Sequence, residues 1–165
     1  MTRALHLQRS PACGPARAQC PLCLGLPANH TAGSTVYVCI PKVSQLEWHP
    51  FTVATARSGE FVLILKAAGD WTAACLRLAE ASGGTATGVT VHVEAPYPSA
   101  VCGRVEQQLQ AGNSVVLVAG GSGIAAMLPL LGAAATVQDK RPSLVWITRS
   151  SEVCELMPHG CMWHG

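Results

Sequence analysis

Charge and aromatic rings are both scarce in this chain. Charged residues make up 12% of its 165 residues, and the formal net charge is only +2. A protein that tracks a phosphate backbone or lies on an anionic membrane carries a concentrated basic footprint; none is visible, so no nucleic-acid partner is expected. Acids are missing altogether before Glu47, whereas Arg3, Arg9, Arg17 and Lys42 precede it. That imbalance suits a transit peptide weakly, and the simpler reading, an irregular lead-in, is adopted. A secretory signal is lacking too: the best apolar core, "CPLCLGLPA" at 20 to 28, is broken by Pro21, Gly25 and Pro27. The eight cysteines are therefore read as free thiols in a reducing compartment, not as a disulfide framework, and the sequon Asn29-His30-Thr31 is idle. No internal repeat is present.

One long uncharged run, "VVLVAGGSGIAAMLPLLGAAATV" from 115 to 137, has the length of a membrane span. Its centre is "AGGSG" and its first residues are mostly β-branched, which fits a buried strand, a glycine turn and then a helix. The span is rejected in favour of that reading.

The periodicity changes along the chain. Residues 1 to 33 read as irregular, with "RALHLQ" available as one strand. "STVYVCI" (34–40) alternates as a strand and Pro41 ends it; "FTVATA" (51–56) and "EFVLILK" (60–66) flank Arg57-Ser58-Gly59 as a hairpin. A helix is expected over 69–82, with Asp70 as N-cap and Gly83-Gly84 as the stop. "GVTVHVEA" (88–95) is a strand, "PYPSAVCG" a loop and "RVEQQLQ" a short helix; strand 115–119, helix 124–135 and strand 143–148 follow. The expected organisation is a lead-in (1–33), an antiparallel strand-rich unit (34–100) and a β-α-β unit (101–165), which is short for a doubly wound sheet.

Three stretches carry candidate chemistry. In "VVLVAGGSGIAAM" a buried strand is followed by Gly121-x-Gly123-x-x-Ala126 and a helix start, the arrangement in which backbone amides approach a pyrophosphate. A plain turn remains the alternative. At the end of the next strand stands Arg149 with Ser150 and Ser151 where an acid would hold a bare ribose, which favours a 2′-phosphate and hence NADPH; the alternative is a solvated strand end. "KAAGDWT" sets Lys66 before a helix start at Gly69 to Thr72, a second anion site or a capping turn. Finally "LEWHPFT" gathers Trp48, His49, Pro50 and Phe51 in a chain with only four Trp, two Tyr and two Phe. A flat ring, a hydroxyl and an imidazole suit a flavin, and an aromatic edge packed on the core is the alternative. Cys20-x-x-Cys23 and His159-x-Cys161-x-x-His164 lie too far apart to be read as a zinc site. Cys39, Cys75 and Cys102 are read as small packing residues, His92 as an outward strand residue, and Met127, Leu128, Leu130 and Leu131 as helix core.

Taken in order, "LEWHPFT", "GDWT", "VEAPYP", "VVLVAGGSGI" and "LVWITR" resemble the cytosolic dehydrogenase module of the ferric reductase and NADPH oxidase family of flavocytochromes b, over about residues 34 to 150. Each motif is weak alone and the ordered set is specific. The resemblance implies a six-stranded antiparallel FAD-binding barrel followed by a partial, Rossmann-like nucleotide-binding α/β unit. It implies an oxidoreductase that moves electrons from NADPH through FAD to a b-type heme, for ferric-chelate reduction or superoxide production, with the heme in a transmembrane module that this sequence lacks. The expected place is the cytosolic face of a membrane, as part of a larger polypeptide, this chain alone being soluble.

The same resemblance implies the binding residues. His49, Pro50, Phe51 and Thr52 would bind FAD, with Phe51 against the isoalloxazine ring, Thr52 near its reactive nitrogen and His49 on the flavin or its diphosphate. Lys66, Gly69, Trp71 and Thr72 would hold the FAD phosphates. Gly120, Gly121, Ser122, Gly123 and Ile124 would cradle the NADPH diphosphate, and Arg149 would reach the 2′-phosphate. No catalytic side chain and no metal ligand is assigned. This sequence departs from the family at Ala95-Pro96-Tyr97-Pro98, where two flanking glycines are lost, and at Ala125-Ala126 in place of Thr-Pro. It also stops before the later strands and aromatic tail that shape the nicotinamide pocket, as expected of a fragment or a divergent form. A soluble flavin-dependent NADPH reductase and an inactive truncated module are the alternative functions.

Overall fold

Alternating β-branched stretches in the first two thirds of the sequence give the barrel, and the apolar run after it gives the α/β unit. In the computed structural model residues 2–9, 22–24, 32–57, 60–81, 85–134 and 142–147 are described. Arg149, Ser150, Ser151, Cys20 and the His159–His164 pattern lie outside them.

Six strands close an antiparallel barrel in the order β1-β2-β5-β4-β3-β6. They are β1 (Thr2–Arg9), β2 (Leu22–Leu24), β3 (Thr35–Cys39), β4 (His49–Arg57), β5 (Glu60–Leu63) and β6 (Thr85–Tyr97). Two strands thus come from the stretch read as a lead-in. "RALHLQ" supplies β1, which pairs with β6, and β2 closes the ring by bridging β1 to β5. Closure leaves the barrel without a free edge. The inward residues of the central strands fill it: Val36 and Val38 on β3, Val53 on β4, Phe61 and Leu63 on β5, and Val91 on β6 are buried together.

Helix α1 (Asp70–Ala81) places Trp71, Cys75 and Ala79, spaced one turn apart, against that same core. Asp70 is the first helical residue, so the N-cap position falls to Gly69. The Thr72 hydroxyl donates to the Gly69 carbonyl and accepts from the Ala68 and Gly69 amides, a local network that does the capping expected of Asp70. Helix α2 (Ala100–Gln110) begins earlier than the expected 104–110, inside the stretch read as loop. Ser99 stands at its N-cap without a side-chain cap bond, so the usual start signal is missing.

The second unit is a parallel pair, β7 (Val116–Gly120) and β8 (Ser143–Ile147), joined through a 3-10 turn (Gly121–Gly123) and helix α3 (Ile124–Ala134). The uncharged run is therefore strand, turn and helix. Among the described residues no helix is long and apolar enough to cross a membrane. Leu117, Ala119, Leu144 and Trp146 turn towards α3, and Val116, Val118, Val145 and Ile147 face the other way and are exposed.

The two units meet along β4. Ala54, fully buried, packs with Ala119, Ile124, Ala125 and Leu128, and Ile64 joins from the barrel side. Gly33 secures the same seam. Its amide donates to the Val53 carbonyl at 2.7 Å, its φ is +85°, and a Cβ there would lie 2.5 Å from the Cys102 Sγ of α2 and 3.5 Å from Pro129 of α3. Gly33→Ala is expected to destabilise the fold by more than the ~1–2 kcal/mol that left-handed backbone alone costs a non-glycine residue. Cys102→Ala in the same background should recover only the steric part, and urea unfolding of the two variants measures the split. Equal stability of Gly33→Ala and the native chain would contradict this packing.

Candidate functional site

Strand β4 has a period of two, so His49, Phe51 and Val53 share one face while Pro50, Thr52 and Ala54 share the other. Both faces are occupied at the lower end, Val53 by the barrel core and Ala54 by α3. At the upper end the inner face is closed by Trp71, 5% exposed, which stacks on two rings: His49, with centroids 4.3 Å apart, and Phe51, 6.0 Å apart at 29°. Pro50 pairs across to Tyr37, and β5 joins β4 only from Val53 onwards. The missing proline N–H thus falls where β4 has a neighbour on one side only.

Two polar atoms in this aromatic stack have no partner. His49 Nε2 and Trp71 Nε1 are both buried and make no hydrogen bond. An unpartnered buried polar atom costs about 1–3 kcal/mol, so two of them in one aromatic cluster make it a candidate place for a ligand atom. On the outer face Thr52 is half-buried, Pro50 is exposed, and Tyr37 and Tyr97 meet edge to face at 5.6 Å. The Tyr97 hydroxyl donates to the Glu94 carboxylate at 2.6 Å, and that bond raises the phenol above its ordinary pKa. Trp48 is also exposed and lies 6.4 Å from the His92 ring, centroid to centroid.

The start of α1 supplies the second element. Lys66 and Gly69 are exposed, and a Cβ on Gly69 would meet nothing within 4 Å. The Thr72 hydroxyl is spent on Ala68 and Gly69, which leaves the first-turn amides and the Lys66 ammonium as the groups that attract an anion here. The Thr72 hydroxyl holds this turn in shape.

The glycine turn is the third element. Gly120, Gly121 and Gly123 each have open space where a side chain would stand, and Gly121 has φ +50°. The turn is open to a bulky anion and leads into the N-terminus of an eleven-residue helix. Ser122 is exposed, whereas Ile124 is buried in the cluster that contains Ala54. One apolar cluster therefore ties the residue after the glycine turn to the residue two places from Thr52. Beneath the turn the Trp146 indole donates to the Gly121 carbonyl at 2.9 Å. That bond spans 25 positions and was invisible in the sequence, although a partly buried indole N–H usually finds an acceptor.

A flavin nucleotide fits the first two elements on the evidence of the orphaned His49 and Trp71 nitrogens, and a dinucleotide fits the third on the evidence of its open glycines. Among the described residues no cluster of metal-ligating side chains is present.

Known proteins give the same picture. Residues 26–101 match the family described as "FAD-binding domain", and residues 112–162 match "Ferric reductase NAD binding domain". The chain is 31% identical over 102 residues to "Probable ferric reduction oxidase 1" of Arabidopsis thaliana, covering 59% of this chain and 14% of that protein. It is 34% identical over 93 residues to "NADPH oxidase 1" of Rattus norvegicus, covering 56% and 15%. The cytochrome b5 reductase domain of Ulva prolifera nitrate reductase superposes with a TM-score of 0.57 at 15% identity, over 90% of this chain and 62% of that one. Such a likeness shows the fold: a ferredoxin-reductase type of FAD barrel with a nucleotide-binding unit.

Two outcomes follow from this geometry. His49→Leu removes a buried nitrogen that has no partner, so the ligand-free protein should be as stable as the native one or gain up to ~1 kcal/mol in urea unfolding. A clear loss would mean that Nε2 is bonded. One turn below Trp71, burial pushes the Cys75 thiol from 9.0 up to about 12. Its folded pKa is raised, so the stability it contributes is full below pH 9.0 and drains away as pH climbs towards about 12. Cys75→Ala should flatten that alkaline loss, and identical slopes in the two proteins would contradict it.

Proposed function

The chain belongs to the ferric reductase and NADPH oxidase family and carries its FAD-binding and NAD-binding domains, and we propose that it takes electrons from NADPH through FAD to a b-type heme in a membrane module of a longer polypeptide. It spans 14% and 15% of the two relatives named above, so the acceptor, ferric chelate or dioxygen, is set by parts of such a protein other than these. The chain would work on the cytosolic face of that membrane. The observation that carries the reading is the pair of unpartnered nitrogens on His49 and Trp71 at the end of a barrel whose outer strand face continues into the dinucleotide unit.

FAD, when bound, would supply the redox chemistry that links a two-electron hydride donor to a one-electron acceptor. The chain's own residues bind and orient. His49 Nε2 and Trp71 Nε1 offer polar contacts inside an apolar wall to the flavin nucleotide, and Phe51, packed on Trp71, fixes the height of that wall. Thr52 presents its hydroxyl on the opposite face of β4 with Pro50 beside it, on the side where Ala54 meets α3. Lys66 and the first-turn amides from Asp70 to Thr72 attract the FAD diphosphate, over the open space that Gly69 leaves. The open turn from Gly120 to Ile124 receives the NADPH diphosphate on the N-terminus of α3. Arg149 gives the 2′-phosphate a cation and so sets the preference for NADPH over NADH.

FAD binding and cofactor preference test this reading separately. Trp71→Phe keeps most of the stacking area and loses the N–H, so the FAD dissociation constant, read from flavin fluorescence, should rise about threefold to tenfold. Arg149→Ala should leave FAD binding unchanged and reduce the ratio of kcat/KM for NADPH over NADH, with ferricyanide as acceptor, by tenfold or more, the scale of a charge-assisted bond. Folded protein that retains no flavin would overturn the assignment.

A further inference from the structure

We propose that Trp146 is a positioning residue for the dinucleotide, acting through the Gly121 carbonyl; the proposal rests on the reading of the glycine turn as the NADPH diphosphate site. Trp146 stands on β8 opposite Ala119 of β7, with its ring on the α3 side among Ala119, Ile124 and Leu128. From there its indole N–H reaches under the turn and donates to Gly121 O at 2.9 Å. The same oxygen accepts the backbone N–H of Ile124, so both of its lone pairs are engaged from the protein side.

The consequence follows from the peptide plane. Among the described residues no peptide bond is cis, and in a trans peptide the C=O and N–H point in opposite directions. Holding the Gly121 carbonyl towards Trp146 therefore turns the Ser122 N–H away from the α3–β8 core, to the side where Gly120, Gly121 and Gly123 leave room. Gly121 carries φ +50° and has no side chain, so its peptide planes are the most easily reoriented in the turn. If the carbonyl swung outward it would present its oxygen to a diphosphate and withdraw an N–H from it. Trp146 blocks that flip while touching no phosphate itself.

The test removes the N–H and little else. Benzothienylalanine at position 146, which has sulfur in place of the indole N–H, keeps the shape and stacking of the ring; Trp146→Phe is the genetically encoded companion. Calorimetric titration of the full FAD-loaded chain uses NADP+ as the diphosphate-bearing probe and adenosine 2′-monophosphate as the probe without a diphosphate. The sulfur isostere should bind NADP+ about threefold to tenfold more weakly, bind adenosine 2′-monophosphate as the native chain does, and hold FAD with unchanged affinity. A purely structural role for Trp146 would weaken all three together or none, and either result overturns the proposal. Native protein that binds adenosine 2′-monophosphate and no NADP+ refutes the diphosphate reading itself, and Trp146 falls with it.

Discussion

At the middle of β4 two neighbouring residues are completely buried on opposite sides, Val53 in the barrel and Ala54 against α3. The rest of the molecule depends on that double burial. A strand with one wet face would fix only a barrel; a strand dry on both faces makes the barrel wall also the floor of the second unit. Slipping β4 by one residue would drive Ala54 inward and Val53 into a seam that accepts a methyl group only, so the register is held from both sides. Ala54 is small enough for α3 to approach closely, and Gly33, just before β3 and bonded to the neighbouring Val53, lets α2 and α3 come closer still.

The chemistry grows out of the same alternation. Two residues up the strand the inner face becomes Phe51 and then His49, capped by Trp71, and the outer face becomes Thr52 and then Pro50. The proposed flavin site is therefore an extension of the barrel core in which aromatic rings replace valines and two nitrogens are left without partners. The glycine turn proposed for the dinucleotide is an extension of the other cluster, because Ile124, which follows the turn, packs with Ala54. One strand thus fixes the separation of the two proposed cofactor sites, as suits a reading in which the bond changes belong to the cofactors.

Much of this was legible in the sequence, and the failures have physical causes. Strong two-residue periods located β3, β4 and β6, and the run of β-branched residues before "AGGSG" located β7, the turn and α3. The ordered motifs then identified the family that the matches at 26–101 and 112–162 establish. β2 was missed because three residues, Leu22-Cys23-Leu24, set between Pro21 and Gly25 are too short to carry a period, and they are a strand only because β1 and β5 lie on either side. α2 was placed four residues late because Ser99 does not cap it. Asp70 looked like an N-cap, but the Thr72 hydroxyl closes the turn over Gly69. The pairing of Trp146 with Gly121 links distant positions, and only the parallel register of β7 and β8 brings them together.

Anaerobic addition of NADPH to the FAD-loaded chain, followed through the visible flavin absorption band, tests the central claim most directly. If β4 holds both cofactor sites in working proximity, the flavin band bleaches in a reaction that saturates with NADPH and is slower with NADH. A flavin that stays bound and oxidised with saturating NADPH would show that the two sites, though present, are not brought together by this strand.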